Sequence, residues 1–248
     1  MRWLALPLLL LTTPLIAQRP QFRGSLGFSG GSYDFDSDLA GFRDDATAGL
    51  FQAEFEVVSK RGYGGGVRYE GFTTDEDKSL FRDPGNPSDR GTQASSGTFQ
   101  AHFTYRMQQH RFEMPVRVGL LFNGLVLDDQ GAVNPETTYA SLGTFFEIEP
   151  ELTLVRSGSL RWTLYGQFGF GVAATAIDVD GDFRDYESDS GFFNLEAGTR
   201  IAFGPAEFGL AFIGRYQSMD SSDIEAGQFV PGFDTGYEGL LLTAGFRF

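Results

Sequence analysis

From about residue 20 onward the apolar residues recur at every second position, segment after segment, and this period constrains the fold more than any other feature of the 248-residue chain. Phe99, Ala101, Phe103, Tyr105 and Met107 share one parity, with Gln100, His102, Thr104 and Arg106 on the other. Phe112, Met114, Val116, Val118, Leu120 and Phe122 repeat the pattern against Glu113, Arg117, Gly119 and Asn123. Such alternation is the mark of a β-strand with one apolar and one polar face. It predicts strands near 22–35, 46–59, 62–74, 97–108, 111–125, 138–154, 160–176, 191–203, 207–218 and 236–248, bounded by Gly, Pro, Asn and Asp. The fold class is therefore all-β with roughly ten strands, or eight or twelve if a segment such as 138–154 is merged or split.

The connections alternate in length. Lys60-Arg61, Gln109-His110, 157–159 and 204–206 are tight, whereas 36–45, 75–96, 126–137, 177–190 and 219–235 are long, polar and acidic. Short turns at one end and long loops at the other predict a single up-and-down antiparallel transmembrane β-barrel. No stretch after residue 17 is apolar enough for a membrane-spanning helix, and closed β structure is the other way to satisfy every backbone group in lipid. Residues 1–17 read as an export signal: Arg2 is the positive start, Leu4 to Leu11 the apolar stretch and Leu15-Ile16-Ala17 the cleavage region. The barrel domain is then 18–248, with no linker and no second domain.

Three features turn the apolar face outward. Glycines crowd the polar face, among them Gly64, Gly66, Gly119, Gly169, Gly171, Gly198, Gly209 and Gly245, where they make room inside a narrow tube. The apolar face is rich in Phe, Leu and Val over strands long enough to cross a bilayer. Lastly, Leu240, Leu242, Ala244, Phe246 and Phe248 alternate with Leu241, Thr243, Gly245 and Arg247. That ending resembles the carboxy-terminal assembly signal of bacterial outer-membrane proteins, the small OmpA/OmpX-like or porin-like barrels, without pointing to a subfamily. The resemblance implies location in the outer membrane of a diderm bacterium and handling by the barrel-assembly machinery, with Phe246 and Phe248 as the signal. Outer-membrane lipid and lipopolysaccharide are then the expected surroundings, and a monomer the expected state.

The same parity sends charged residues into the lumen. Arg23, Arg68, Arg106, Arg117, Arg161, Arg200, Arg215 and Arg247 face Glu54, Glu56, Glu70, Glu113, Glu147, Glu149, Glu196 and Glu207, a nearly neutral set that suits a side-chain-filled interior. Since the chain carries a formal charge of −14, the excess acid belongs on the long loops. The opposite end has Lys60, Arg61, Arg111 and Arg156, with Glu151 nearby, which suits contact with anionic lipid. This charge excludes nucleic acid as a partner.

The absence of cysteine removes disulfides, thiolate metal sites, thiol nucleophiles and a lipidated Cys. Asp178, Asp180 and Asp182 alternate around Gly181 in a pattern that can hold a weakly bound Ca2+ or Mg2+, with Asp34, Asp36 and Asp38 a second such run. A solvated acidic loop is the plainer reading of both, and no cofactor is expected. His102 lies on a strand near mid-lumen and is expected to make a structural hydrogen bond; no hydrolase or phosphate-binding motif is present. The chain is thus expected to be no enzyme but a barrel with a structural or surface-interaction role, the alternative being a narrow cation-preferring channel.

Overall fold

The computed structural model describes residues 20–38, 43–74, 80, 91–129, 136–182, 184–223 and 228–248; the expected export signal lies outside them. Eleven strands follow in order: β1 (Gln21–Ser37), β2 (Arg43–Val58), β3 (Tyr63–Thr74), β4 (Thr92–Gln109), β5 (Phe112–Asp129), β6 (Thr137–Ile148), β7 (Glu151–Ser157), β8 (Leu160–Val179), β9 (Tyr186–Phe203), β10 (Ala206–Met219) and β11 (Phe233–Arg247). Neighbours in sequence pair antiparallel except β6 and β7, which each pair with β5 and β8, and β1 pairs with β11, so the sheet closes on itself. Among the described residues no helix is long and apolar enough to cross a membrane.

The barrel has ten positions, because β6 and β7 together fill one. The predicted 138–154 strand is interrupted at Glu149-Pro150, yet pairing continues across the break: Glu149 N–H donates to the Pro115 carbonyl (2.9 Å) and Gly166 N–H to the Pro150 carbonyl (3.0 Å). Proline has no donor to give the ladder, which explains why the break falls there. The register with β8 is the same on both sides of the break, and it shifts by one residue only further on, at a bulge between Thr153 and Val155.

The short turns fall where expected. Gly62, Gly158 and Gly204 adopt left-handed φ in three of them, and His110 does so at φ 54° in the fourth. At the other end the strands run further than the alternation predicts, with β4 starting at Thr92 and β9 at Tyr186. Part of the expected loop sequence is therefore barrel wall. Asp36, Asp44, Asp45, Asp128, Asp178, Glu187 and Asp189 stand on strands, not on loops.

The physical reason is an inversion of pattern along each strand. In β1 the outward side chains run Phe22, Leu26, Phe28 and then Ser32, Asp34, Asp36, while the inward ones run Arg23, Ser25, Ser29 and then Tyr33, Phe35. The lower barrel is thus apolar outside and charged inside, and the upper barrel the reverse. Leu120 is 60% exposed and its neighbour Leu121 only 2%, so adjacent leucines sample the two environments. Tyr63, Tyr105 and Trp162 edge the apolar belt near the short turns, and Tyr69 and Tyr216 edge it above, the aromatic girdles of a transmembrane barrel.

Where strands approach closely over the lumen, glycine is required. A Cβ on Gly119 would strike the carbonyl of Ala101 and the Cα of His102, its partner across the ladder. Gly119→Val is therefore expected to destabilise the barrel by about 1–3 kcal/mol, read from guanidinium unfolding in micelles. Unchanged stability would mean that β4 and β5 can part at no cost.

Candidate functional site

The lower lumen holds one connected set of charges centred on Arg117, whose side chain is 1% exposed. Its Nη1 donates to Glu147 Oε1 and Glu149 Oε2, both at 2.6 Å, and its Nε to Glu56 Oε1 at 3.1 Å; Nη2 lies 3.4 Å from Glu54 Oε1. Three strands of the wall meet at this guanidinium because every second residue of β2, β5 and β6 points inward, and Glu149 keeps that parity past Ile148.

The network spreads from there. Arg68 reaches Glu147 (2.7 Å) and Glu54 (3.3 Å), and Arg23 reaches Glu149, Glu151 and Glu207 at 3.3–3.4 Å. Arg200 bonds Glu149 (2.5 Å) and Glu151 (2.8 Å) and lies over the Tyr165 ring at 3.4 Å. Arg106 donates to Glu56 (2.9 Å), Arg161 to Glu207 (2.8 Å) and Arg247 to Glu113 (2.7 Å). Higher up, Arg215 holds Glu70 with two bonds of 2.8 and 2.9 Å and also meets Glu196 at 3.3 Å, while Tyr165 donates to that same Glu196. Planar guanidinium forks of this kind satisfy several carboxylate oxygens at once, which offsets the cost of burying the charges.

Glu151 departs from its expected place beside Arg156 at the turn. It is buried and serves Arg23 and Arg200, because the Pro150 break preserves the inward parity of Glu147, Glu149 and Glu151. His102 also differs from expectation. Both ring nitrogens are buried without a hydrogen-bond partner; Nε2 stands 3.6 Å from Glu56 Oε1, whose lone pairs are taken by Thr104 and Arg117, and the ring packs edge-on to Phe145.

Above the charges lies an apolar filling that the alternation did not suggest: Tyr33, Phe35, Leu50, Tyr139, Ile177 and Phe233, among others, are all nearly fully buried. Its signal in the sequence is apolar residues of inward parity near the strand ends, opposite in sense to the alternation of the belt below. Between the two layers is a cavity of about 60 Å³, lined by Tyr33, Phe72, Asn123, Phe192, Arg215 and Tyr237. Tyr33 Oη, Asn123 Oδ1 and Gln217 Nε2 are buried there without hydrogen-bond partners. A second void among Arg23, Glu54, Gln167 and Arg200 measures only about 20 Å³. With roughly 10–15 Å³ of such space needed per water, the first has room for a few waters and the second for about one, too few for a water column through the lumen.

Asp178 and Asp180 stand exposed at the upper rim, whereas Asp182 is engaged by Arg184 Nε (3.2 Å) and by the Tyr186 hydroxyl (2.9 Å). Asp34 and Asp36 point outward, and Asp38 accepts from Ser221 (3.3 Å). Among the described residues no three carboxylates or histidines come together as a metal-holding group. Phe246 packs against the terminal Phe248 at 5.3 Å between ring centres and lies over Gly24.

A closed antiparallel barrel with an apolar outer belt and a packed, charge-paired lumen defines a transmembrane barrel of the bacterial outer-membrane type. Comparison with solved structures agrees. The chain is similar to the outer membrane protease OmpT from Escherichia coli, with a TM-score of 0.53, 11% identity and coverage of 92% of this chain and 96% of that one. It also aligns with the β domain of the Bordetella autotransporter BrkA (TM-score 0.41, 12% identity, 93% of this chain and 99% of that one). A third alignment is with the translocator domain of the autotransporter NalP from Neisseria meningitidis (TM-score 0.40, 8% identity, 92% and 88%). At 11% identity the OmpT likeness is one of fold alone. No protein-family model matches the chain, and no curated protein matches it either.

Proposed function

We propose that the protein is a closed outer-membrane barrel with a structural or surface-interaction role, its long-loop end facing outside the cell and its lumen non-conducting. The observation that carries this reading is the Arg117 centre, where four carboxylates and the surrounding arginines span the lower lumen while aromatic side chains fill the upper part. An ion entering from either end would have to break several charge-assisted hydrogen bonds at once. The acidic strand ends and loops then form a rim projecting from the membrane. Beside lipopolysaccharide phosphates such a rim repels unless divalent cations lie between, which is the role we assign to Ca2+ or Mg2+ at Asp178, Asp180 and neighbouring acids. Export by residues 1–17 and assembly through Phe246 and Phe248 complete the reading.

The test is planar-bilayer recording on refolded, heat-modifiable protein. No discrete conductance steps are expected. Steady cation-selective steps would replace this reading with that of a narrow channel, for which the acidic rim would supply the selectivity.

A further inference from the structure

The short-turn mouth of the barrel opens into a hollow of about 300 Å³ whose lining is strongly one-sided in charge. Arg111, Arg156, Arg161 and Arg247 surround it with His110, and Glu113 is the one acid among the lining residues. Glu113 is already occupied by Arg247 (2.7 Å) and by the Gln108 amide (3.2 Å), and Arg161 is held by Glu207. Among the described residues no carboxylate pairs with Arg111 or Arg156; Arg111 Nη1 has only a long contact of 3.5 Å to the Leu154 carbonyl. The Gln21 side-chain Oε1 accepts from Arg106 Nη1 (2.9 Å), which leaves the side-chain Nε2 N–H groups to the hollow.

The backbone adds an independent sign. His110 is the one non-glycine residue with positive φ among the described residues, at a turn position that the three other short turns give to glycine. Holding a side chain there costs free energy that glycine would spare, and in return an imidazole stands at the rim of the basic hollow.

We propose that this hollow is a binding site for a phosphate-bearing anion, gripped by Arg111 and Arg156 and flanked by His110, Arg161 and Arg247. Guanidinium forks match the oxygens of a phosphate group, and two forks free of carboxylates in a concave, donor-rich wall are what such recognition requires. The site goes beyond the closed-barrel reading and does not depend on it. Two sources share the chemistry: the headgroup of an anionic phospholipid in the adjoining leaflet, or a soluble phosphate compound on that side of the membrane.

The experiment titrates inorganic pyrophosphate into the refolded barrel in a non-ionic, phosphate-free detergent by calorimetry. One saturable site is expected, weakening with added salt. In Arg111→Gln/Arg156→Gln the affinity should fall by at least about 10-fold, as expected for charge-assisted bonds. Both arginines are exposed and outside the lumen network, so the variant should keep the heat-shifted gel band of the folded barrel. Arg184→Gln at the opposite end should bind as the parent does. Failure of the parent to show a saturable site, or equal affinity in the double variant, overturns the proposal. Repeating the titration in phosphatidylcholine nanodiscs with and without phosphatidylglycerol separates the sources: suppression by phosphatidylglycerol assigns the headgroup, and undiminished binding assigns the soluble compound.

Discussion

Arg117→Met is expected to destabilise the folded barrel by about 3–5 kcal/mol, the cost of leaving buried charges without their counter-ion. The substitution keeps much of the side-chain volume, so the loss reports charge and not a large cavity. Glu147 and Glu149 would each lose a 2.6 Å bond and Glu56 one of 3.1 Å, at side chains no more than 1% exposed. Glu147 retains Arg68 and Glu149 retains Arg200 and Arg23, so the network is weakened at its centre and not dissolved. Arg117→Lys should recover part of the loss by restoring the charge without the fork. Guanidinium unfolding in micelles or vesicles, followed by far-ultraviolet circular dichroism and the gel shift, measures both variants. An Arg117→Met barrel within about 0.5 kcal/mol of the parent, the range of ordinary surface changes, would mean that water reaches the carboxylates and that the lumen is open.

The position of Arg117 inside the barrel could be read from period two alone, as could the inward placement of most of its partners. Who pairs with whom could not. Arg23 and Glu207 meet across 184 residues of chain, and Arg23 and Glu149 across 126, contacts that follow from strand stagger and closure and leave no mark on local alternation. The break at Pro150 was legible as an overlong segment, but its consequence for Glu151 depended on parity surviving the break. The upper lumen was missed for a different reason. Once the outer face leaves the apolar belt, Asp and Ser take the outward positions and Tyr33, Phe35 and Phe233 the inward ones, so an alternation read with one fixed sense ends the strand too early. The basic hollow was visible only as scattered turn arginines, since the concavity that collects them is a property of the closed sheet.

Val118→Arg tests the opposite face with a residue adjacent to Arg117. Val118 is 53% exposed and stands between Phe103 and Phe146 on neighbouring strands, midway along the apolar run from Phe112 to Phe122. If lipid covers that surface, an arginine there should cost about 2–4 kcal/mol in bilayers, while Phe112→Arg, beside the turn, should cost only about 0–1. The depth dependence is the informative part. A water-washed barrel would accept both changes within about 0.5 kcal/mol, and one whose apolar face was buried by a protein partner would lose stability in detergent monomers for neither. Measured in the same vesicles, a large loss for Arg117→Met and a large loss for Val118→Arg would show that one peptide unit of this wall separates a site that needs the guanidinium from a surface that rejects it.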